Sequence, residues 1–340
     1  MPQRLHSVLF LFLVGRTYQL SLQNMSATGT KRLNLAAAIS SGIEARVGDT
    51  PLLELRSVTR GLSPAVRIMA KAEWFNPSGS IKDRPALNII RAAMAKGALG
   101  NGKQLLDSTS GNMGIAYATF GAALGIPVTL CVPASASTER LRVLQALGAD
   151  VILTDAAEGS DGAILKARSL AQADAGRFWY ANQYDNPANW QAHYMSTGPE
   201  VVAQTNGSLT HFVAGVGTSG TLVGSGRYLH EQIPEVKIVG VQPDAAFHGL
   251  EGLKHMPTAI KPGIYDAAVA DLTLGVSTEA AHEMVRQLAR REGLFVGVSS
   301  GAAAAAALQL ASELKEGLLV VIFPDAGYKY LSDDALWEGA

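Results

Sequence analysis

The sequence predicts an α/β protein built on mainly parallel sheets, and three observations lead there. From Gly48 onward, short apolar runs alternate with segments of helical apolar spacing, the order that produces right-handed βαβ units. The run "IPVTLCVP" (126–133) is almost continuously apolar, as suits a strand covered on both faces. Glycine- and serine-rich stretches fall where strand-like runs pass into helices: "NPSGSIK", "DSTSGNMG", "GVGTSGTLVG" and "GVSSGAA". In open parallel sheets, loops of this kind lie beyond the carboxyl ends of the strands and form the ligand crevice.

Taken in order, "TPLLEL" and "VRIMAKAEW" read as short strands, and the helix "IKDRPALNIIRAAMAKGAL" ends near Gly97. "KQLLDSTSG" is a strand running into a loop, "NMGIAYATFGAALG" a helix, "IPVTLCVP" a strand and "STERLRVLQALG" a helix. "ADVILTD" is a strand and "GAILKARSLAQAD" a helix. After a gap come strand "LTHFVAGV", helix "LVGSGRYLHEQI" and strand "VKIVGVQP". Helices "STEAAHEMVRQLARREG" and "SGAAAAAALQLASEL" and strand "GLLVVIFPD" complete the pattern. Periods of 3.6 and 2 residues, bounded by glycine and proline, justify each assignment.

The 340 residues are 48% hydrophobic and 17% charged, with a net charge of −1. That length supports one large domain or two of ordinary size. The expected folded unit spans 41–335, with a small mobile lobe at about 87–192 and a large lobe from the remainder. Near-neutral charge offers no electrostatic footprint for nucleic acid. The single cysteine, Cys131, is expected to be a small buried hydrophobe, no disulfide framework is possible, and a cytoplasmic location fits. The start "MPQRLHSVLFLFLVG" looks like a weak signal peptide, too short to span a bilayer, which takes about 20 apolar residues. Residues 1–40 are expected to be a disordered extension or, up to Met25, a mis-assigned upstream start.

Lys82 stands at the end of the turn-forming run "NPSGS", at a loop-to-helix junction. A cation in a helix's first turn opposes the helix dipole, so stability alone does not explain it, although a solvated lysine is the bland account. In "AGVGTSGTL", the amides of Gly217, Thr218, Ser219, Gly220 and Thr221 can converge on one anion at a helix start, so a phosphate cup is expected over a plain glycine turn. The same loop satisfies G-x-G-x-x-G through Gly215, Gly217 and Gly220, which makes an NAD(P)-binding dehydrogenase the rival. That rival wants an acid at the end of the next strand, and "VKIVGVQP" ends on Gln242 with Asp244 beyond. Ser108, Thr109, Ser110, Gly111 and Asn112 open another helix. One cap would suffice there, so the surplus suits carboxylate binding. Ser299 and Ser300 precede a further helix, and Ser300 is expected to be its cap.

Taken together, "PSGSIKDR", "TSGNMG", "QYDNPAN", "GVGTSGT", "GVSSGAA" and "PDAGYKYLS" resemble, in order, the motifs of cysteine synthases. These belong to the fold-type-II (tryptophan synthase β-like) family of pyridoxal-phosphate enzymes, with cystathionine β-synthase, threonine synthase and serine dehydratase. The similarity runs from about Val47 to Ser332. It implies two lobes, each with a mainly parallel sheet flanked by helices, and the cofactor pyridoxal 5'-phosphate. It further implies that Lys82 forms the cofactor's Schiff base and that Asn112 bonds the ring hydroxyl oxygen. Gly217, Thr218, Ser219, Gly220 and Thr221 would hold the phosphate, and Ser299 would face the pyridine nitrogen. Thr109, Ser110 and Gln183 would hold the substrate carboxylate, while Gly249 and Gly252 belong to a loop that closes on substrate. The chemistry agrees, because a partly buried lysine has a lowered pKa and can attack an aldehyde, then act as general base.

The activity implied is β-replacement on an activated serine, through an aminoacrylate, to give L-cysteine with sulfide or another sulfur donor. The alternatives are cystathionine β-synthase or another serine-consuming enzyme. O-acetylserine is expected over O-phosphoserine, because Asp244 and Glu251 would repel a dianion, with Lys254 and His255 lying past the glycine turn. "QYDNPAN" departs from many cysteine synthases in its tyrosine and aspartate. The seven histidines show no metal-ligand spacing, and His248 and His255 read as surface residues. The expected partners are small-molecule substrates and a second copy of the chain, without nucleic acid or membrane.

Overall fold

The computed structural model describes residues 42–109 and 111–337. The expected extension at 1–40 and the candidate Ser110 lie outside the described residues. Strands β1 (Leu52–Glu54) and β2 (Ala65–Ala72) lead into helix α1 (Asp83–Ala95). There follow β3 (Gln104–Ser108), α2 (Asn112–Leu124), β4 (Val128–Pro133), α3 (Thr138–Ala146), β5 (Asp150–Thr154), α4 (Gly159–Ala173) and β6 (Phe178–Tyr180). Next come α5 (Ala188–Met195), α6 (Thr197–Thr205), β7 (His211–Gly215), α7 (Gly220–Gln232), β8 (Lys237–Pro243) and β9 (Leu272–Val276). Helices α8 (Thr278–Gln287) and α9 (Val298–Ser312), β10 (Glu316–Phe323) and the short α10 (Asp334–Trp337) complete the chain.

Among the described residues, the strands form two sheets. One has six strands in the order β1-β2-β10-β7-β8-β9, with only β1 antiparallel to its neighbour. The other has four parallel strands in the order β5-β4-β3-β6. The alternation expected of two-faced strands is plain in β10. Leu319, Val321 and Phe323 pack with α8 and α9, while Val320 and Ile322 pack with Leu222, Val223 and Leu229 of α7 on the other face. Burying each such side chain contributes about 1.5–3 kcal/mol, which fixes the register. In the four-stranded sheet, Leu105 and Leu130 pack on Tyr117 and Phe120 of α2, and Leu106 and Cys131 on Ala163 and Ala167 of α4. Cys131 is thus the buried hydrophobe that its surroundings in the sequence suggest.

Five elements go beyond the sequence expectation: β6, α5, α6, β9 and the four-residue α10. Strand β6 has only three residues and β9 is a largely exposed edge, so neither displays a clear period. Helices α5 and α6 are short and meet at Ser196, and Pro187 and Pro199 suggest breaks. Both prolines sit at helix starts, where no backbone bond is lost. The helix after Ser277 also ends earlier than expected, passing into a π turn at Leu288–Glu292. Ser300 is not the cap of α9. The cap position is Gly297, and the Ser300 hydroxyl is buried inside the first turn without a partner among the described residues. Among the described residues, no helix is long and apolar enough to cross a membrane.

Candidate active site

All four glycine- and serine-rich loops meet at one pocket. Its wall includes Lys82, Thr109, Asn112, Gly217 to Thr221 and Ser299, together with Gln183, Gly252 and Lys254. Two of these loops follow strands of the six-stranded sheet and one follows β3, so the pocket lies at the carboxyl ends of both sheets, where parallel sheets bind ligands.

Lys82 occupies the N-cap position of α1. Its neighbours secure the loop: Asp83 accepts the Ser78 N–H at 2.6 Å, and Arg84 enters a buried ion network. The Arg84 guanidinium pairs with Glu73 at 2.7 Å and Glu200 at 2.6 Å, and Glu200 also binds Lys71 at 2.7 Å. The charges after Lys82 therefore anchor the helix start from within. Among the described residues, the Lys82 side chain has no hydrogen-bond or ion-pair partner. Burial pushes its pKa down, partly opposed by the charge of Asp325. Burial thus shifts this amine toward its neutral, nucleophilic form.

The cradle at 217–221 is built by close approach. A Cβ on Gly217 would lie 2.2 Å from the carbonyl oxygen of Gly252, and one on Gly220 would lie 2.0 Å from Asn189 Oδ1. Asn189, from α5, is itself fixed by donating to the Gln183 carbonyl at 2.7 Å and to the Thr218 hydroxyl at 3.2 Å. Between the glycines, Ser219 holds φ at 71°, a left-handed conformation that costs a non-glycine residue energy and recurs at binding loops. Its hydroxyl is buried with no partner among the described residues. Thr221 Oγ1 faces His193 Nε2 at 3.4 Å, and burial holds that imidazole well below its usual pKa, hence neutral. A helix start, a strained turn and an unused hydroxyl at the pocket wall are features that could receive a phosphate, and the free amine of Lys82 suits an aldehyde on the same molecule. The residues present therefore fit pyridoxal phosphate.

Asn112 begins α2, with its amide held by Asp325 and Lys329. Ser299 lies in the first turn of α9 and lines the pocket. Thr109 lines it too, but its hydroxyl oxygen accepts the Gly111 and Gly114 N–H groups at 3.0 and 3.1 Å, so it also serves the helix start. Gln183 donates to the Ser108 carbonyl at 2.6 Å. Gly252 is at the wall, whereas Gly249 is not among the lining residues and donates its N–H to Thr278 Oγ1 at 2.9 Å. His248 and His255 also lie outside the lining.

The charges around the pocket differ from expectation. Asp244 is exposed and away from the wall, so it cannot repel a bound anion at close range. Glu251 does line the pocket, but it is paired with Arg140. Lys254 turns inward, 8% exposed, and bonds Asp161 at 2.9 Å. Arg140 is a charged pocket-wall residue that sequence reasoning misses. It is 3% exposed at the pocket wall, with its guanidinium 4.8 Å from the Tyr330 ring centroid and its Nε unpartnered among the described residues. Its motif "STER" reads as an ordinary amphipathic helix start, and no local signal marks it as buried.

Comparison with known proteins agrees with this geometry. Residues 43–325 match the family described as pyridoxal-phosphate dependent enzymes. The chain is 50% identical over 291 residues to a cysteine synthase of Aquifex aeolicus (strain VF5), covering 84% of this chain and 89% of that protein. It superposes on the crystal structure of a cysteine synthase from Entamoeba histolytica with a TM-score of 0.84 and 34% identity, covering 92% of this chain and 93% of the other. An O-acetylserine dependent cystathionine β-synthase from Helicobacter pylori gives a TM-score of 0.81 at 34% identity, over 86% of this chain and 97% of the other. A family match over most of the folded chain, joined to a relative at half identity, is decisive: the chain belongs to the pyridoxal-phosphate dependent enzyme family.

Proposed function

We propose that this enzyme makes L-cysteine by β-replacement, with O-acetylserine as the favoured activated serine and sulfide or another sulfur donor as the nucleophile. The observation that carries the proposal is the unpartnered Lys82 amine facing a pocket walled by the cradle, Asn112 and Ser299. Family membership speaks against the dinucleotide-binding alternative and supports reading the glycine loop as a phosphate cup.

In this proposal Lys82 would hold the cofactor through its aldehyde, Gly217 to Thr221 would hold its phosphate, Asn112 would serve the ring hydroxyl and Ser299 the ring nitrogen. Bound there, pyridoxal phosphate supplies the electron sink for breaking the substrate Cα–H bond. Lys82 Nζ takes that proton as general base, for which burial has lowered its pKa. Ser299 offers the ring nitrogen a neutral hydroxyl rather than a carboxylate, which would not favour its protonation and would suit elimination of the β-substituent. Thr109, Gln183 and Ser110 orient the substrate carboxylate. The loop of Gly249 and Gly252, together with the smaller sheet and its helices, closes over the pocket and excludes water.

The Helicobacter pylori relative, described as O-acetylserine dependent, supports the acetylated donor. It also supports a second reading, homocysteine as acceptor with cystathionine as product. Steady-state assays with each donor, and with sulfide or homocysteine, decide. A higher kcat/KM for O-phosphoserine would overturn the donor, and a higher one for homocysteine the acceptor. The assembly is proposed to be a cytoplasmic homodimer, which sedimentation of the purified protein tests.

A further inference from the structure

Asp325 and Lys329 have no part in the roles above, yet they bracket one of the site's key side chains. Both follow β10. The Asp325 carboxylate is fully buried, and its Oδ2 accepts from Asn112 Nδ2 at 2.7 Å and from the Tyr330 hydroxyl at 3.0 Å. On the other side of the same amide, Lys329 Nζ donates to Asn112 Oδ1 at 2.6 Å. The same ammonium donates to the carbonyls of Ser78 and Gly79, at 3.3 and 3.1 Å, in the loop that ends on Lys82. Gly297 leaves the room for Asp325, since a Cβ there would lie 2.1 Å from Oδ1.

A carboxylate accepts, an ammonium donates, and an amide has one oxygen and two N–H bonds. The two partners therefore admit only one flip of the Asn112 amide, and bonds to ionised partners are about twice as strong as neutral ones. In that flip Oδ1 is engaged and one Nδ2–H is spent on Asp325, leaving the second Nδ2–H for an acceptor in the pocket. We propose that Asp325 and Lys329 are positioning residues for the cofactor, locking Asn112 so that its second amide N–H is presented to the ring hydroxyl oxygen. Lys329 at the same time ties the Lys82 loop to the start of α2, so that amine and amide donor keep a fixed separation. The inference rests on the placement of Asn112 against the ring proposed above.

The test is a mutant cycle on the full-length holoenzyme. Each protein is diluted into cofactor-free buffer, and loss of the visible absorbance reports pyridoxal phosphate release. Asn112→Ala and Asp325→Leu should each release cofactor roughly tenfold faster, the effect of one hydrogen bond involving a charged group. In the Asn112→Ala background, Asp325→Leu should add less than about twofold, because groups acting through one another are not additive. Asp325→Asn, which keeps an acceptor oxygen, should recover much of the retention. An Asp325→Leu effect that is undiminished in the Asn112→Ala background overturns the proposal. Unchanged release from Asn112→Ala alone instead overturns the placement of Asn112, and the proposal with it. Should Asp325→Leu fail to fold, Lys329→Met takes its place: its effect must shrink in the Asn112→Ala background, and equal effects refute the coupling.

Discussion

Gly217→Ala offers a demanding test of the cradle, because both sides of the contact are backbone. A Cβ at residue 217 would stand 2.2 Å from the Gly252 carbonyl oxygen, whereas carbon and oxygen ordinarily approach to about 3.3 Å. Either the cradle or the 249–253 loop must retreat by about 1 Å. Overpacking of this kind costs about 1–3 kcal/mol of stability, and a displacement of that size at a reacting site can cost about 10²-fold in rate. Gly240→Ala is the control, since its Cβ would meet nothing closer than 3.4 Å in the same sheet. Thermal melting, cofactor retention after dilution, and kcat/KM for cysteine formation are measured on both variants. Gly217→Ala should melt lower, lose cofactor faster and fall about 100-fold in kcat/KM, with Gly240→Ala close to wild type. Wild-type cofactor retention and turnover in Gly217→Ala would refute the close-packed cradle.

Other consequences are equally direct. Lys82→Ala should melt like the wild-type apoenzyme, because the side chain makes no hydrogen bond among the described residues, yet lose turnover; near-normal activity would remove Lys82 from the mechanism. Ser299→Ala should keep its cofactor while losing about 1 kcal/mol of binding, read as a severalfold rise in release rate; complete loss of cofactor would show that Ser299 is a principal anchor. Glu200→Gln should destabilise by about 3–5 kcal/mol, because Lys71 and Arg84 are buried and lose a charged partner. The pH dependence has the matching sign. Burial raises the Glu200 pKa, but Arg84 and Lys71 outweigh burial and bring it from 4.5 down to about 2. Its contribution is therefore full above pH 4.5 and lost as pH falls toward 2; a melting temperature equally acid-sensitive in Glu200→Gln would refute it. Asp107 runs the other way, its folded pKa raised by burial to about 7. Stability should decline as pH rises from about 4 to 7, and Asp107→Asn should flatten that slope.

What could be read from the sequence was local chemistry in fixed order. Lys82 after "NPSGS", the glycines around Ser219 and the cluster before Asn112 each combine turn residues with a helix start, and the structure gathers all three at one wall. What could not be read depends on contacts across the chain. Asn112 meets Asp325 at a separation of 213 residues, and Arg140 meets Glu251 at 111; no periodicity announces such pairs. The charges near the glycine turn likewise depend on contacts across the chain. Glu251 is paired with Arg140, from a distant helix, and Asp244, seven residues earlier, is exposed and not part of the pocket wall. Helix α5 was hidden by its short length and Pro187, although it carries Asn189, the buttress of the cradle.

The central claim is that Lys82 carries the cofactor. Borohydride reduction of the yellow holoenzyme, followed by peptide mass mapping, tests it most directly. The visible band should vanish, and one phosphopyridoxyl mass should fall on the peptide containing Lys82. A label on Lys71, Lys254 or Lys329, or a colourless protein that takes up no label, would contradict the account.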